Sequence, residues 1–239
     1  MSVTLDAILA TLLDPALAGP AILSLRVTAL TLFVHLVLGI GLGWALAVPK
    51  WPGRTLLDLA VTLPLVFPPI ALGFFLLLVL GRRSPIGLWF DQVFGISFIF
   101  TFEGVLLASV VAGLPLVVKP IEAAIAGVSK RLGEASRTLG RSEWDTLMRI
   151  ILPNVRGAIL AGLVLGTARS LGEVGITLML GGNIVGRTNT VSLEIYNAVF
   201  NGEYLRGVVL SVLLGFASIA VFLVMRRVSV AHPQEAWHP

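Results

Sequence analysis

The sequence predicts an all-α, polytopic membrane protein with about five transmembrane helices, in a single domain that covers residues 1–239. Three observations support this fold class. Hydrophobic residues make up 56% of the 239 residues and charged residues only 13%, about half the charged fraction of an ordinary soluble domain. The mean hydropathy is +0.96. The charged residues are clustered in short segments, and the apolar blocks between them are long enough to cross a bilayer.

Composition also narrows the partners of the chain. It contains no cysteine, which excludes disulfides and thiolate metal sites. The net charge of +4 would suggest a nucleic acid partner in a soluble protein. Here the basic residues flank apolar spans, as the positive-inside rule expects for loops on the cytoplasmic face. We therefore predict that the chain contacts the lipid bilayer and no nucleic acid.

The residues offer no enzymatic constellation. No Walker A phosphate loop occurs, so the chain cannot hold ATP in the manner of a P-loop protein. The histidines His35, His232 and His238 are scattered, and we expect neither a metal site nor a catalytic residue. An intramembrane hydrolase is the remaining enzymatic alternative, but it would need a nucleophile and a base that the sequence does not place together.

Five apolar blocks define the predicted spans. In chain order they cover residues 22–48, 56–80, 97–118, 157–180 and 208–224. The first contains Gly39, Gly41 and Gly43, small residues that allow a neighbouring helix to approach closely. The second contains Pro64, Pro68 and Pro69. Prolines at membrane depth kink a helix where protein or a water-filled cavity covers the freed carbonyls, which fits either a transport pathway or irregular packing.

The fourth predicted span carries two ionisable residues. Arg169 and Glu173 are four residues apart, so they lie on one helical face and can pair. Ionisable groups inside a membrane are costly and usually face the bundle interior or an aqueous path. Two interpretations follow, a structural ion pair that locks helices together or a charge in a transport pathway.

A charged segment, residues 119–156, separates the third and fourth predicted spans. On each side of Gly140, apolar residues recur at helical spacing, which predicts two short amphipathic helices hinged at that glycine. Trp144, Leu147 and Ile151 form the apolar face of the second helix. A segment with so many charges cannot cross a bilayer, and we expect it to lie along the membrane face.

The spacing E-A-x-x-x-x-G-x9-I-x-L-P within this segment resembles the cytoplasmic signature of permease subunits of ABC-type importers. The resemblance implies a type I importer permease fold, in which the segment forms a coupling helix that docks on separate ATPase subunits. The alternative is an interfacial helix pair with no such partner. The residues implied in coupling are Glu134, Ala135, Ser136, Leu139, Gly140, Ile150, Leu152 and Pro153.

A second stretch resembles one branch of that family. Arg-x-Leu-Gly-Glu-x-Gly at residues 169–175 and Gly-Asn at 182–183 resemble the permeases of oxyanion importers, both molybdate and sulfate branches. The continuation Gly-Asn-Ile-x-Gly-x-Thr-x-Thr favours the molybdate branch. The resemblance implies a permease that passes molybdate or tungstate inward after delivery by a periplasmic or surface binding protein. A sulfate or thiosulfate importer and a membrane scaffold without transport remain alternatives.

Polar residues after the fourth span are candidates for the outer mouth of the pathway. Asn183, Thr188 and Thr190 carry neutral hydrogen-bonding groups that could meet an anion. They equally fit ordinary turn residues beside the neighbouring glycines, and the turn interpretation is the one we prefer.

Lysine and arginine counts predict an orientation in the cytoplasmic (inner) membrane. If residues 119–156 are cytoplasmic, the cytoplasmic segments hold eleven Lys and Arg residues and the outer loops hold four. The N-terminus is then outside and the C-terminus cytoplasmic. The outer pair Arg82 and Arg83 is an exception to the rule.

The resemblance and the span count also imply an assembly. Since one five-span chain lines only half of a path, we expect a homodimer about a two-fold axis along the membrane normal. We expect no cofactor on this chain, because ATP and Mg²⁺ would belong to the ATPase.

Overall fold

In a computed structural model, the described residues are 5–48, 51–138, 140 and 142–230. Within them the regular structure is helical, with a 3₁₀ turn at Pro15–Leu17 and a π-helical turn at Leu147–Ile151. The α-helices are α1 (Leu5–Leu12), α2 (Ala18–Ala47), α3 (Arg54–Val66), α4 (Pro69–Leu80), α5 (Pro85–Phe94), α6 (Phe102–Thr138), α7 (Glu143–Thr146), α8 (Leu152–Leu171), α9 (Gly175–Gly181), α10 (Val191–Phe200) and α11 (Tyr204–Val230).

Four helical segments among the described residues are long and apolar enough to cross a membrane. They are Pro15–Ala47, Phe102–Val128, Trp144–Leu171 and Tyr204–Val224. A fifth crossing is available if α4 and α5, which are bent by 64° relative to each other, form one broken span. The predicted all-α membrane fold with about five spans is therefore confirmed, although the boundaries of several spans differ.

The predicted second span, residues 56–80, is two helices instead of one kinked helix. Between α3 and α4, Phe67 and Pro68 have extended backbones, with ψ of 142° and 133°. A residue before proline is pushed away from helical geometry, and two consecutive prolines remove two amide donors. Pro64 stays inside α3, so the double proline is what breaks the span.

The predicted third span and the start of the charged segment form one helix. The span was expected to end at residue 118, but α6 continues from Phe102 to Thr138 with Pro115 and Pro120 inside it. Hydropathy marks where a helix can leave the apolar layer, whereas the helix itself continues as long as its backbone bonds are satisfied. The segment at 119–156 is therefore largely an extension of α6 and α8.

The predicted fourth span, residues 157–180, is also broken. α8 ends at Leu171 and α9 begins at Gly175. Two regions expected to be loops, residues 81–95 and 181–206, contain helices α5 and α10. Each begins at a capping hydroxyl: Ser84 accepts from the amide of Gly87 at 2.9 Å, and Thr190 accepts from that of Leu193 at 3.3 Å. Such caps satisfy otherwise unpaired donors in the first helical turn.

The centre of the bundle is α6, which packs against α2 and α8. The contact with α2 depends on two of the three predicted glycines. A Cβ on Gly39 would lie 2.6 Å from Val117 Cγ1, and one on Gly43 would lie 2.7 Å from Ile121 Cγ2. A Cβ on Gly41 would meet nothing within 4 Å. Small residues at these two positions let the helix backbones approach.

Candidate functional site

The two broken spans meet at their breaks. A Cβ on Gly175 would lie 2.9 Å from Pro69 Cβ and 3.0 Å from the amide nitrogen of Ile70. A Cβ on Gly73 would lie 2.9 Å from Ile176 Cα. The first turns of α4 and α9 are thus in direct contact. The N-terminus of a helix carries partial positive charge, so this junction brings together two such ends.

Arg169 and Glu173, predicted to share a face, form an ion pair beside this junction. Arg169 Nη1 donates to Glu173 Oε2 at 2.7 Å. The other carboxylate oxygen, Oε1, accepts from the amide of Ile176 at 2.7 Å. Glu173 therefore ties the last turn of α8 to the first turn of α9 across the break, and its negative charge lies at a helix N-terminus, where the macrodipole favours it.

The two partners differ in their access to solvent. The side chain of Glu173 is 2% exposed, whereas that of Arg169 is 34% exposed. Both oxygens of the carboxylate are occupied. An approaching anion would consequently meet the guanidinium before the carboxylate.

A small polar cavity lies behind Glu173. Its volume is about 20 Å³, room for one water molecule and too little for a tetrahedral oxyanion. The hydroxyl of Thr31 is buried there without a hydrogen-bond partner among the described residues. The lining residues are Ser24, Val27, Thr28, Thr31, Ser109, Ser170, Leu171, Glu173, Thr177 and Thr190.

One turn further along α2, His35 is fully buried. In the sequence it is an isolated histidine, far from His232 and His238. Its Nε2 donates to the carbonyl of Val110 at 2.9 Å, so it links α2 to α6. Its helical spacing from Thr31 was the one available signal, because both residues lie on the same face of α2.

The predicted outer-mouth residues are engaged in a turn. Thr188 Oγ1 donates to the carbonyl of Gly181 at 2.7 Å and accepts from the amide of Ile184 at 2.9 Å. Asn183 has a positive φ of 53°, and its side chain donates to Asn197 Oδ1 at 2.6 Å. Asn183 and Thr188 thus act as turn residues in this structure, and Thr190 caps α10.

The charged segment turns at Gly140, the glycine predicted to be a hinge. Its φ is +71°, and a Cβ at this position would meet nothing within 4 Å. Glu134, Ala135 and Ser136 lie in the last part of α6, and their side chains fall outside the described set. Leu139 also lies outside the described residues.

Beyond the turn, the chain returns to the core through the π-helical turn. Leu147 and Ile151 are buried, as the helical spacing predicts. Trp144 is not, since 61% of it is exposed. That part of the prediction is wrong. Trp144 lies before the π turn and does not share the buried face of Leu147 and Ile151. Trp144 therefore points away from the core.

The sequence motif ends where the π turn becomes α8. The amide of Leu152 donates to the carbonyl of Leu147, five residues back. Pro153, in the first turn of α8, has no amide donor. The side chain of Asn154 donates to the carbonyl of Ile150 at 2.6 Å. The proline is thus accommodated where helical bonds are already rearranged.

A charged network that no sequence pattern predicts joins α3 to α6. Lys119 Nζ donates to Glu122 Oε2 at 2.8 Å and also binds Asp58. Arg54 Nη2 lies 3.3 Å from Glu122 Oε1, and its Nε donates to the carbonyl of Leu46 at 2.7 Å. Asp58 lies 61 positions before Lys119, so no local pattern could reveal the pair. In the described part of the chain, no group of three or more metal-ligating residues is present.

The chain is similar to membrane subunits of binding-protein-dependent transport systems. The family model described as "Binding-protein-dependent transport system inner membrane component" matches residues 36–232. The molybdenum transport system permease protein ModB of Escherichia coli (strain K12) is 41% identical over 178 residues, which cover 74% of this chain and 78% of that protein. The sulfate transport system permease protein CysW of the same organism is 31% identical over 222 residues, 90% of this chain and 74% of that protein.

Solved structures share the fold. A bacterial ABC transporter that imports the acidic polysaccharide alginate matches with a TM-score of 0.79 at 16% identity, covering 98% of this chain and 85% of that one. The inward-facing MetNI methionine ABC transporter matches with a TM-score of 0.69 at 18% identity, covering 90% and 95%. These identities establish the fold alone, which is that of type I ABC importer permeases.

Proposed function

The chain belongs to the family of inner membrane components of binding-protein-dependent transport systems, and from this premise we propose that it is the permease subunit of an ATP-driven importer for molybdate or tungstate. Relatives from Escherichia coli and Haemophilus influenzae, each 41% identical, are named as molybdenum transport permeases. The sulfate transport relative is more distant, at 31% identity. Among the oxyanions, molybdate is therefore the substrate that the relatives favour.

The position of Arg169 is the observation that supports an anionic substrate. Its side chain is one-third exposed beside the contact of α4 with α9, while the carboxylate of its partner is buried and hydrogen-bonded at both oxygens. Broken helices that present N-terminal ends at membrane depth are favourable places for anions to pass. In this proposal Arg169 lines the pathway, and Glu173 holds both the arginine and α9 in position.

The coupling step would use the turn at Gly140. ATPase subunits would press on the exposed turn and on Trp144, and the buried Leu147 and Ile151 would pass the movement to the α6–α8 core. Differential contact with two nucleotide states is what selects between inward-open and outward-open arrangements. ATP hydrolysis is thus assigned to a partner subunit and not to this chain.

The remaining assembly follows from the same proposal. A binding protein delivers the oxyanion at the outer face, the N-terminus is outside, and the C-terminus is cytoplasmic. Two copies of the chain enclose the path between them, and no cofactor is bound by this chain. The positive-inside count supports the orientation.

The test is ATP hydrolysis and uptake in proteoliposomes that contain this chain, its ATPase and its binding protein loaded in turn with molybdate, tungstate or sulfate. Stimulation by molybdate or tungstate, with little response to sulfate, is the expected result. Stimulation by sulfate alone would replace the proposal with a sulfate importer. If no ATPase co-purifies with the chain, a membrane scaffold becomes the better description.

A further inference from the structure

An arginine pair at the end of α4 is not explained by transport or coupling. Arg82 and Arg83 are both exposed. Within the described residues, neither forms an ion pair or a hydrogen bond. On the proposed orientation they are extracytoplasmic, where lysine and arginine are not favoured. Two consecutive exposed arginines form a positive patch that an anionic group would complement.

The arginines stand on a rigid turn. The amide of Ser84 donates to the carbonyl of Gly81 at 2.9 Å, and Ser84 Oγ accepts from the amide of Gly87 at 2.9 Å. A Cβ on Gly87 would lie 2.2 Å from the carbonyl oxygen of Gly81, so α5 begins in direct contact with the end of α4. The two guanidinium groups are therefore presented from a fixed backbone.

Beside the arginines lies an open groove of about 590 Å³. Apolar side chains form its long wall, and Leu78 and Phe100 are 57% and 43% exposed. The groove thus combines apolar side chains with two arginines. The lining residues are Leu77, Leu78, Gly81, Arg82, Arg83, Ser84, Ile99 and Phe100.

The neighbouring helix places this groove at a membrane boundary. α4 is apolar over its whole length, and the charged turn follows directly. α5 exposes Trp89 and Phe94, at 51% and 57%. Tryptophan and other amphipathic rings concentrate where the hydrocarbon layer meets the head groups. With α4 closing the second predicted span, residues 56–80, and α5 lying along the membrane surface, the arginines are at the depth of lipid phosphates and the apolar wall is at the depth of acyl chains.

We propose that this groove binds one anionic phospholipid, with the phosphate on Arg82 and Arg83 and an acyl chain along Leu77, Leu78, Ile99 and Phe100. A guanidinium matches a phosphate with paired, charge-assisted hydrogen bonds. A soluble oxyanion would use only the arginines and leave the apolar wall against water, whereas an amphiphile covers both parts. The site depends on neither the identity of the transported ion nor the ATPase.

Native mass spectrometry of the full-length chain, released from nanodiscs of phosphatidylglycerol or phosphatidylcholine, tests the proposal. Arg82→Gln/Arg83→Gln should weaken phosphatidylglycerol binding about tenfold or more, the scale of losing charge-assisted hydrogen bonds. Leu78→Ser should weaken it less. Arg187→Gln, at another exposed arginine, is the matched control and should leave it unchanged. Phosphatidylglycerol should also raise the unfolding temperature of the wild type more than that of the double variant.

Three results would overturn the inference. Equal phosphatidylglycerol binding by wild type and the double arginine variant would remove the site. Equal affinity for water-soluble glycerol phosphate and phosphatidylglycerol would make it a simple anion site. Loss of a dimer in the double variant, with lipid binding unchanged, would show that a second copy of the chain covers the groove.

Discussion

Two of the breaks between helices in the described part of the chain are stabilised in opposite ways. At residues 172–174, between α8 and α9, the buried carboxylate of Glu173 bonds both flanking helices. At Gly140, between α6 and α7, the chain turns with a positive φ, and a side chain there would meet nothing within 4 Å. The first break is closed by groups of the chain itself, and the second is open to its surroundings.

This difference indicates which break can respond to a partner. A buried joint with satisfied polar groups resists movement because any opening leaves unpaired groups in a dry site. Gly140, by contrast, is exposed and has open space around its Cα. The turn at Gly140 is therefore suited to receive a force, and the joint at Glu173 is suited to hold α8 and α9 in one geometry.

The largest expected effect is the loss of the buried joint. Glu173→Ala removes the partner of Arg169 and the acceptor of the Ile176 amide, and should destabilise the protein by about 2–4 kcal/mol, reduced by the partial exposure of Arg169. Chemical or thermal unfolding in detergent measures it. Asp91→Ala, at an exposed carboxylate, is the control. Equal stability of both variants would show that Glu173 does not hold the break closed.

A second pair of variants separates stability from transport. Arg169→Met should cost about 2 kcal/mol, since it leaves the buried carboxylate without its cation. Adding Glu173→Gln should recover most of this loss, because the amide oxygen can still accept from Ile176. Oxyanion uptake should nevertheless stay low in the double variant if Arg169 lines the pathway. Recovery of both stability and uptake would assign the pair a structural role alone.

A substitution at Gly140 should affect transport and leave stability nearly unchanged. Gly140→Leu places a side chain at a positive φ, a strain of about 1 kcal/mol, and should leave the membrane fold intact. Uptake should fall about tenfold while ATP hydrolysis continues, as expected for an uncoupled transporter. Gly127→Leu, at an exposed glycine of α6 with equal space around it, is the matched control. Normal uptake by Gly140→Leu would contradict the coupling role.

The smallest effect is expected in the α3–α6 network. Lys119→Met removes two ion pairs, but its partners are 15–43% exposed, and pairs screened by solvent contribute about 1 kcal/mol or less. A stability loss well below that of Glu173→Ala would confirm that burial, and not the number of charges, distinguishes the two regions. A loss as large as that of Glu173→Ala would refute this distinction.

Parts of the site could be predicted from the sequence because the residues involved are close together along the chain. The four-residue spacing of Arg169 and Glu173 predicts the pair, and the glycine within a charged segment predicts the turn at Gly140. Glu173 as the cap of α9 was not predicted, since its effect depends on a break three residues long. The Asp58–Lys119 contact was missed because no periodicity links residues 61 positions apart.

The sequence by itself determined the membrane class, the helical architecture and the charged segment, because hydropathy and helical periodicity act over one or two turns. Only the tertiary structure decided that the double proline at 68–69 breaks a span, that α6 continues to Thr138, and that the first turns of α4 and α9 meet. A break in a helix is tolerated only where neighbouring groups cover the freed backbone. Those neighbours come from distant parts of the chain, so packing decides where the helices end.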